Sequence, residues 1–202
     1  MTPEAVEIWA ASEAGQPDDE AVRPNVQGGR ERGLILHKLL EEVLTGETPN
    51  DAGALSERAR ALIVEIGRPV VADPSQGLSP DELAGCVVRT LALPEISELL
   101  PTLAPELAVY AAVDVDGVEQ AIAGIADAIS YGRDGSPPVV VDWKSDVSPT
   151  PATLDHYRSQ VRSYIEVTSC VRGLIVLMTT GAVIHVERAP ERNLTDLETS
   201  TA

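Results

Sequence analysis

The chain has 202 residues, 44% of them apolar, which is enough for one domain with a substantial buried core. Acidic side chains outnumber basic ones by 32 to 15, and the net charge of −17 argues against a protein that binds nucleic acid through a basic surface of its own. The sequence shows neither a membrane span nor a signal peptide, and its two isolated cysteines support no disulfide framework, so we expect a cytoplasmic protein without membrane contact.

Helical patterns dominate the first half of the chain. Residues 1–29 are rich in Pro, Gly, Asp and Glu and predict a flexible lead-in. Apolar residues then recur at helical spacing over 31–44, and a second helix is expected over 51–67. The sequence Ser-Pro-Asp-Glu at 79–82 is typical of a helix start, with an N-cap, a proline and an acidic first turn. This third helix should run to about residue 93.

The second half has the composition of β-strands, rich in Val, Ile and Ala. The dipeptide Asp116-Gly117 between two such segments predicts an antiparallel hairpin, and the next strand should lie beside its second arm. The expected order is strand, strand, strand, helix, strand and strand, over residues 106–114, 118–131, 139–144, 153–167, 173–179 and 182–188. The pattern predicts one α/β domain over 30–189, followed by a frayed tail at 190–202.

The third strand carries the most informative residues of the chain, Asp142 and Lys144. Side chains two apart on a strand emerge on the same face, so this carboxylate and this ammonium should point into one site. Burying both charges is costly unless a metal ion and a substrate phosphate compensate. Lys38 and Lys144 are the only lysines, so a compact ammonium has been kept here in a chain that otherwise uses arginine. A strand that ends in a surface ion pair is the alternative.

Asp127 lies near the end of the second strand, and the turn over 132–138 should bring it alongside Asp142. Two carboxylates that face one point are typical of a site for Mg²⁺ or Mn²⁺. The alternative is that Asp127 only ends its strand and pairs with Arg133.

Taken in order, these residues resemble the RecB-like branch of the PD-(D/E)xK nucleases, in particular the C-terminal nuclease domain of AddA- and RecB-type helicase-nucleases. Five short motifs between about residues 30 and 188 carry the resemblance: Arg32-Gly33 with His37, Glu106, Gly124-x-x-Asp127, Asp142-Trp143-Lys144-Ser145-Asp146, and Gln160-x-x-x-Tyr164. The resemblance implies a three-layer α/β core, with a mixed central sheet flanked by helices and extra N-terminal helices. It also implies a divalent-metal site that hydrolyses phosphodiester bonds.

The resemblance further implies roles for single residues at this site. Asp127 and Asp142 correspond to carboxylate metal ligands, and the imidazole of His37 and the carbonyl oxygen of Trp143 would complete the metal shell. Lys144 would orient the attacking water and stabilise charge on the phosphate. For His37, a core residue without a metal is the alternative.

Three further positions follow from the same resemblance. Glu106 corresponds to an additional catalytic carboxylate, or alternatively is the polar start of a strand. Gln160, Tyr164 and Tyr157 share one helical face, which would support the site and contact single-stranded DNA. Ordinary packing of the aromatic rings on the sheet is the alternative for this face.

The hypothesis from the sequence is therefore a Mg²⁺- or Mn²⁺-dependent deoxyribonuclease, exonuclease-like, that acts on single-stranded DNA or DNA ends in recombination or repair, with a helicase or repair complex as partner. The alternative is a noncatalytic module that keeps the nuclease fold to dock a helicase or DNA. The acidic surface favours this alternative, and the complete set of acids and lysine argues against it.

Overall fold

The order of helices and strands in the computed structural model is largely the one that the sequence predicts. It describes residues 26–115, 118–132 and 135–188, so the turn Asp116-Gly117, Arg133, the tail 190–202 and most of the predicted flexible segment 1–29 lie outside the described residues. The helices are α1 (Arg30–Thr45), α2 (Ala52–Glu65), α3 (Pro80–Leu91), α4 (Pro94–Leu99) and α5 (Pro151–Thr168), and a 3₁₀ turn spans Leu100–Thr102. The strands are β1 (Leu103–Val115), β2 (Val118–Ser130), β3 (Val139–Lys144), β4 (Arg172–Leu177) and β5 (Ala182–Glu187).

Local signals explain where the first helices begin and end. Asp51 caps α2, because its carboxylate accepts hydrogen bonds from two backbone N–H groups of the first turn at 3.0 Å. Gly46 closes α1 in a left-handed conformation with φ 80°. Ser79 precedes α3, but its hydroxyl donates to the carbonyl of Ala72 and does not cap the helix. Helix α3 ends at Leu91, two residues before the expected end, and Pro94 then starts an additional helix, α4, that the sequence analysis did not predict.

A mixed five-stranded sheet with the order β1-β2-β3-β4-β5 forms the centre of the fold. The pairs β1–β2, β2–β3 and β4–β5 are antiparallel, while β3 and β4 are parallel. Parallel neighbours need a crossover connection, and α5 provides it. The α/β fold class predicted from the sequence is therefore confirmed.

Helices cover both faces of this sheet, which gives three layers. One cluster of buried side chains joins α1–α4 to Val139, Val141 and Trp143 of β3, and a second cluster joins α5 to Val140 and to β4. The alternation along β3 follows from the period of two in a strand. Asp142 continues the face of Val140, so the strand directs its polar end toward α5.

The β1–β2 hairpin extends beyond the rest of the sheet. Each of its strands has 13 residues, but β2 pairs with β3 only from Ala128 opposite Val141 to Ser130 opposite Val139. The remaining length of β2 has β1 as its neighbour. None of the helices in the described part of the chain has the length and apolar character needed to cross a bilayer.

Candidate active site

The site lies where β2 and β3 separate. Ala128 is the first residue of β2 that pairs with β3, and Asp127 immediately precedes it in the chain. The Oδ2 atom of Asp127 accepts a hydrogen bond of 2.8 Å from the backbone N–H of Trp143. A side-chain carboxylate therefore takes the place of a main-chain carbonyl and satisfies a strand N–H that the end of the ladder would leave open. This bond keeps Asp127 beside the end of β3.

Asp142 and Lys144 form an ion pair on one face of β3, as their spacing predicts. The ammonium Nζ of Lys144 lies 3.0 Å from Oδ1 and 2.9 Å from Oδ2 of Asp142. The side chain of Asp142 is 2% exposed and that of Lys144 is 15% exposed. Although Oδ2 is in ion-pair contact, it is buried and accepts no directed hydrogen bond from any described residue. Both carboxylate oxygens of Asp142 are in contact with the ammonium of Lys144.

Helix α5 and the loop before it hold the amine of Lys144 in place. Nζ donates to Oε1 of Gln160 at 3.1 Å and lies 4.7 Å from the centroid of the Tyr157 ring. The hydroxyl of Tyr157 donates to Oδ2 of Asp146 at 2.8 Å, so the loop after β3 is tied to the same helix. Lys144 thus points into the site and not into solvent.

The face of α5 that the sequence assigned to DNA packs against the sheet. Tyr157 and Tyr164 are 9% and 6% exposed, and the hydroxyl of Tyr164 donates to the carbonyl of Ile125 at 2.9 Å. Gln160 donates to the hydroxyl of Tyr164 at 3.5 Å. Burial raises the pKa of Tyr164, and the charges of two nearby aspartates add to this effect. These contacts match the packing alternative, and a DNA contact by these three residues stays a prediction.

His37 reaches the site from α1. Its Nδ1 is 3.6 Å from Oδ1 of Asp127, and its side chain is 30% exposed. Burial lowers the pKa of His37, and the positive charge of Lys144 acts in the same direction. The imidazole is therefore neutral near neutral pH, the form in which histidine binds a metal.

Glu106 lies on β1, opposite Asp127 of β2, in a strained backbone conformation. The ladder pairs Pro105 with Ala128 and Leu107 with Ala126, so the position between them is opposite Asp127 but forms no pair. Its φ of 52° is in the left-handed region that side chains other than glycine rarely adopt. Such strain is concentrated at functional sites. Glu106 is exposed to solvent beside the cluster.

The two aspartates lack sufficient positive charge around them. Burial raises the pKa of Asp127 to about 6, against the opposing attraction of Lys144. Burial likewise raises the pKa of Asp142 to about 7, and repulsion from Asp127 adds to it. One lysine does not offset two buried carboxylates, so a further cation at this position would lower both pKa values.

The predicted metal ligands therefore meet at one place without forming a closed shell. Within the described ranges, no three His, Cys, Asp or Glu side chains converge tightly enough to be a preassembled metal site. Asp142 is instead turned to Lys144, and one oxygen of Asp127 is used by the N–H of Trp143. The carboxylate of Asp142, the second oxygen of Asp127 and the imidazole of His37 are groups of the kind that a hard divalent cation binds, with Lys144 now in contact with both oxygens of Asp142.

A buried arginine that the sequence marked only as part of a motif holds the elements around the site. Arg32 is 2% exposed and binds Glu82 of α3 at 2.7 Å, the carbonyl of Ser145 at 3.0 Å and the hydroxyl of Thr179 at 2.9 Å. It thereby connects α1 and α3 to the segments that follow β3 and β4. Its neighbour Gly33 lets α1 approach closely, since a Cβ there would lie 2.8 Å from Oγ of Ser145. The sequence signal that could have indicated this role was an arginine among the apolar positions of helix α1.

A surface depression of about 650 Å³ lies elsewhere, between the first turns of α2 and α3. Ser56 and Asp81 line it and bind each other at 2.5 Å. None of the residues of the acid and lysine cluster borders this depression, so its size says nothing about the candidate site.

Comparisons with known proteins show which family this chain resembles. Residues 9–174 match the family described as the PD-(D/E)XK nuclease superfamily. Among solved structures, the crystal structure of SSO0001 is similar, with 22% sequence identity, a TM-score of 0.41 and coverage of 81% of this chain and 80% of that chain. A comparison with curated proteins finds no match.

Proposed function

Because this chain belongs to the PD-(D/E)XK nuclease superfamily, we propose that it hydrolyses phosphodiester bonds in DNA with Mg²⁺ or Mn²⁺ as its cofactor. We also propose that it belongs to the RecB-like branch, acts as an exonuclease on single-stranded DNA or DNA ends, and serves recombination or repair. The observation that carries the proposal is the pair of buried carboxylates of Asp127 and Asp142, which lie beside the ammonium of Lys144 and the imidazole of His37.

The donor set supports a divalent cation in this position. Asp127 and Asp142 offer carboxylate oxygens, His37 offers a neutral imidazole, and the carbonyl oxygen of Trp143 would be the fourth ligand. Burial raises the pKa values of Asp127 and Asp142, so a cation with two positive charges would stabilise their charged forms more than one with a single charge. When bound, the cation would supply Lewis-acid stabilisation of the phosphate and an attacking water at neutral pH.

Lys144 would act on the substrate from a fixed position. Gln160 and the ring of Tyr157 hold its side chain, so little conformational freedom has to be lost when the phosphate arrives. Its ammonium would offset the negative charge that develops on the phosphate oxygens and would orient the attacking water. Glu106, exposed and opposite Asp127, is the proposed additional carboxylate on the substrate side.

The ion pair between Asp142 and Lys144 favours a second candidate function. The two groups satisfy much of each other's charge, and the described residues contain no preassembled metal cluster. A noncatalytic module with the same fold would need nothing more than this pair, and it would dock a helicase or DNA. Metal binding separates the two candidates, since only the nuclease requires it.

The decisive experiment measures cleavage of labelled single- and double-stranded DNA with Mn²⁺, with Mg²⁺ and with a chelator. Lys144→Ala should abolish metal-dependent cleavage, whereas Lys38→Ala should retain it. Lys38 is the matched control because it is the only other lysine and its 2.9 Å ion pair is with the partly exposed Glu41 of α1, away from the site. Far-UV circular dichroism verifies that both variants fold. Full activity in folded Lys144→Ala would reject the assignment, and absence of cleavage and of Mn²⁺ binding in the unmodified protein would favour the docking module.

A further inference from the structure

The ammonium of Lys144 is held by contacts of different kinds. It pairs with both carboxylate oxygens of Asp142, donates to Oε1 of Gln160 at 3.1 Å, and lies over the ring of Tyr157. A lysine ammonium sits on a flexible stem, so such contacts decide where its charge lies. Asp142 is also a proposed metal ligand. Its hold on Lys144 would weaken once a cation attracts the same carboxylate charge.

The ring of Tyr157 is fixed without any help from Asp142. Its hydroxyl donates to Oδ2 of Asp146 at 2.8 Å, and its buried ring packs in the cluster around α5. Packing thus holds the base of the side chain and the hydrogen bond holds its tip. A tyrosine side chain has two rotatable torsions, so these two contacts leave the ring with one orientation, in which its face meets Lys144.

The hydrogen bond to Asp146 also strengthens the attraction between the ring and the ammonium. A cation over an aromatic face is attracted by the negative charge of that face. Groups joined by hydrogen bonds polarise one another where water is scarce, so a phenol that donates to a carboxylate has a more negative ring. The charge of Asp146 therefore acts on Lys144 through the ring of Tyr157.

We propose that Asp146 is a positioning residue, which keeps the ring of Tyr157 against Lys144 and so keeps the ammonium in the site when a cation occupies Asp142. The inference rests on the proposed function, in which Lys144 faces the phosphate. Because Asp146 acts through another side chain, its loss should slow the cleavage of bound DNA and leave the binding of DNA unchanged.

Nuclear magnetic resonance reads the position of Lys144 without any need for catalysis. Lys38 and Lys144 are the only lysines, so labelled lysine gives the signals of two side chains, and Lys38→Ala assigns them. Protons above an aromatic ring resonate upfield, so the ε-methylene signal of Lys144 should lie upfield of that of Lys38. Asp146→Ala should move this signal toward the Lys38 position, both with a chelator and, to a greater extent, with Mg²⁺. Asp146→Asn keeps an oxygen acceptor and should retain the signal.

The kinetic test measures kcat and KM for a labelled single-stranded oligonucleotide. Asp146→Ala and Tyr157→Phe remove the two ends of one hydrogen bond, so each should lower kcat about tenfold to a hundredfold with KM unchanged. The double variant should be no slower than either single variant, and Asp146→Asn should restore most of the rate. Asp155→Ala is the matched control, because Asp155 is 75% exposed and pairs with Arg158 on the surface of α5. It should leave both constants unchanged.

The two measurements separate this inference from the function on which it rests. An unchanged Lys144 signal in folded Asp146→Ala, with chelator and with Mg²⁺, overturns the inference whether or not the unmodified protein cleaves DNA. Losses in kcat that add in the double variant also overturn it, because Asp146 and Tyr157 would then act independently. If the signal moves as expected in a protein that cleaves no DNA, the nuclease is rejected and the positioning of Lys144 by Asp146 stands.

Discussion

Replacing Asp142 with asparagine is predicted to flatten the dependence of folding stability on pH in the metal-free protein. Burial raises the pKa of Asp142 to about 7 in the folded state, whereas an aspartate in the unfolded chain titrates at about 3.9. Between these values the folded protein keeps a proton that the unfolded chain has lost. Stability is therefore highest below the lower pKa and falls as the pH rises toward the higher one. Asparagine has no proton to lose, so this fall should disappear.

The size of the effect follows from the pKa. Each pH unit inside the window removes about 1.36 kcal/mol of stability, so the rise from about pH 5.5 to 7 costs roughly 2 kcal/mol through this carboxyl. Asp127, with its pKa raised to about 6, adds a smaller fall of the same sign. The lowered pKa of His37 has the opposite effect, because stability is then lost as the pH decreases. Both groups remain in Asp142→Asn, and loss of the Asp142 charge lowers the pKa of His37 further, so the difference between the proteins contains the lost proton of Asp142 together with this change at His37.

Urea unfolding in the presence of a chelator, between about pH 5.5 and 8, measures this difference. Absolute stability is less informative than the slope, since the substitution also removes the partner of Lys144. Asp155→Asn is the matched control, because Asp155 is 75% exposed and its ion pair with Arg158 is on the surface. Its slope should equal that of the unmodified protein. Parallel curves for the unmodified protein and Asp142→Asn would refute the argument that burial keeps this carboxyl protonated.

Three further predictions concern the metal and the packing. Mn²⁺ should raise the melting temperature more at about pH 8 than at pH 6, because protons compete for the carboxylates at the lower pH, and an equal shift at both would exclude them as ligands. Gly173→Ala should destabilise the fold by about 1 to 3 kcal/mol in urea, since its Cβ would overlap Val161 of α5, and an unchanged midpoint would contradict this close packing. Arg32→Ala should cost about 3 kcal/mol because it leaves Glu82 without its buried partner, whereas Arg68→Ala, at an exposed ion pair, should cost much less; equal losses would be evidence against the role of the buried pair.

Strand β3 shows which parts of the site were predictable. It spans Val139–Lys144, the residues expected from the sequence, because a short run of β-branched residues bounded by prolines allows few other assignments. Its period of two then placed Asp142 and Lys144 on one face, and their ion pair confirms it. Helix α5 begins at Pro151, two residues before the predicted start, since proline is tolerated in the first turn and Thr150 caps the helix.

Other features depended on contacts between distant parts of the chain. The bond from Trp143 to the carboxylate of Asp127 exists because β2 and β3 stop pairing there, and no local pattern specifies where a ladder ends. The left-handed backbone of Glu106 is likewise imposed by its surroundings, against the preference of a glutamate. Arg32 joins partners up to 147 positions away in the sequence, so its motif could be noticed but its contacts could not be derived.

The bond between Asp127 and the N–H of Trp143 has a consequence for relatives that have lost catalytic activity. An aspartate that completes the sheet remains under selection in a descendant that has given up catalysis, because its loss would leave a strand N–H unsatisfied. The side chains of Asp142 and Lys144 bind each other and not a strand N–H, so an apolar pair could replace both charges without damage to the core. We therefore expect degenerate relatives to keep the first acid and to discard the second acid together with the lysine.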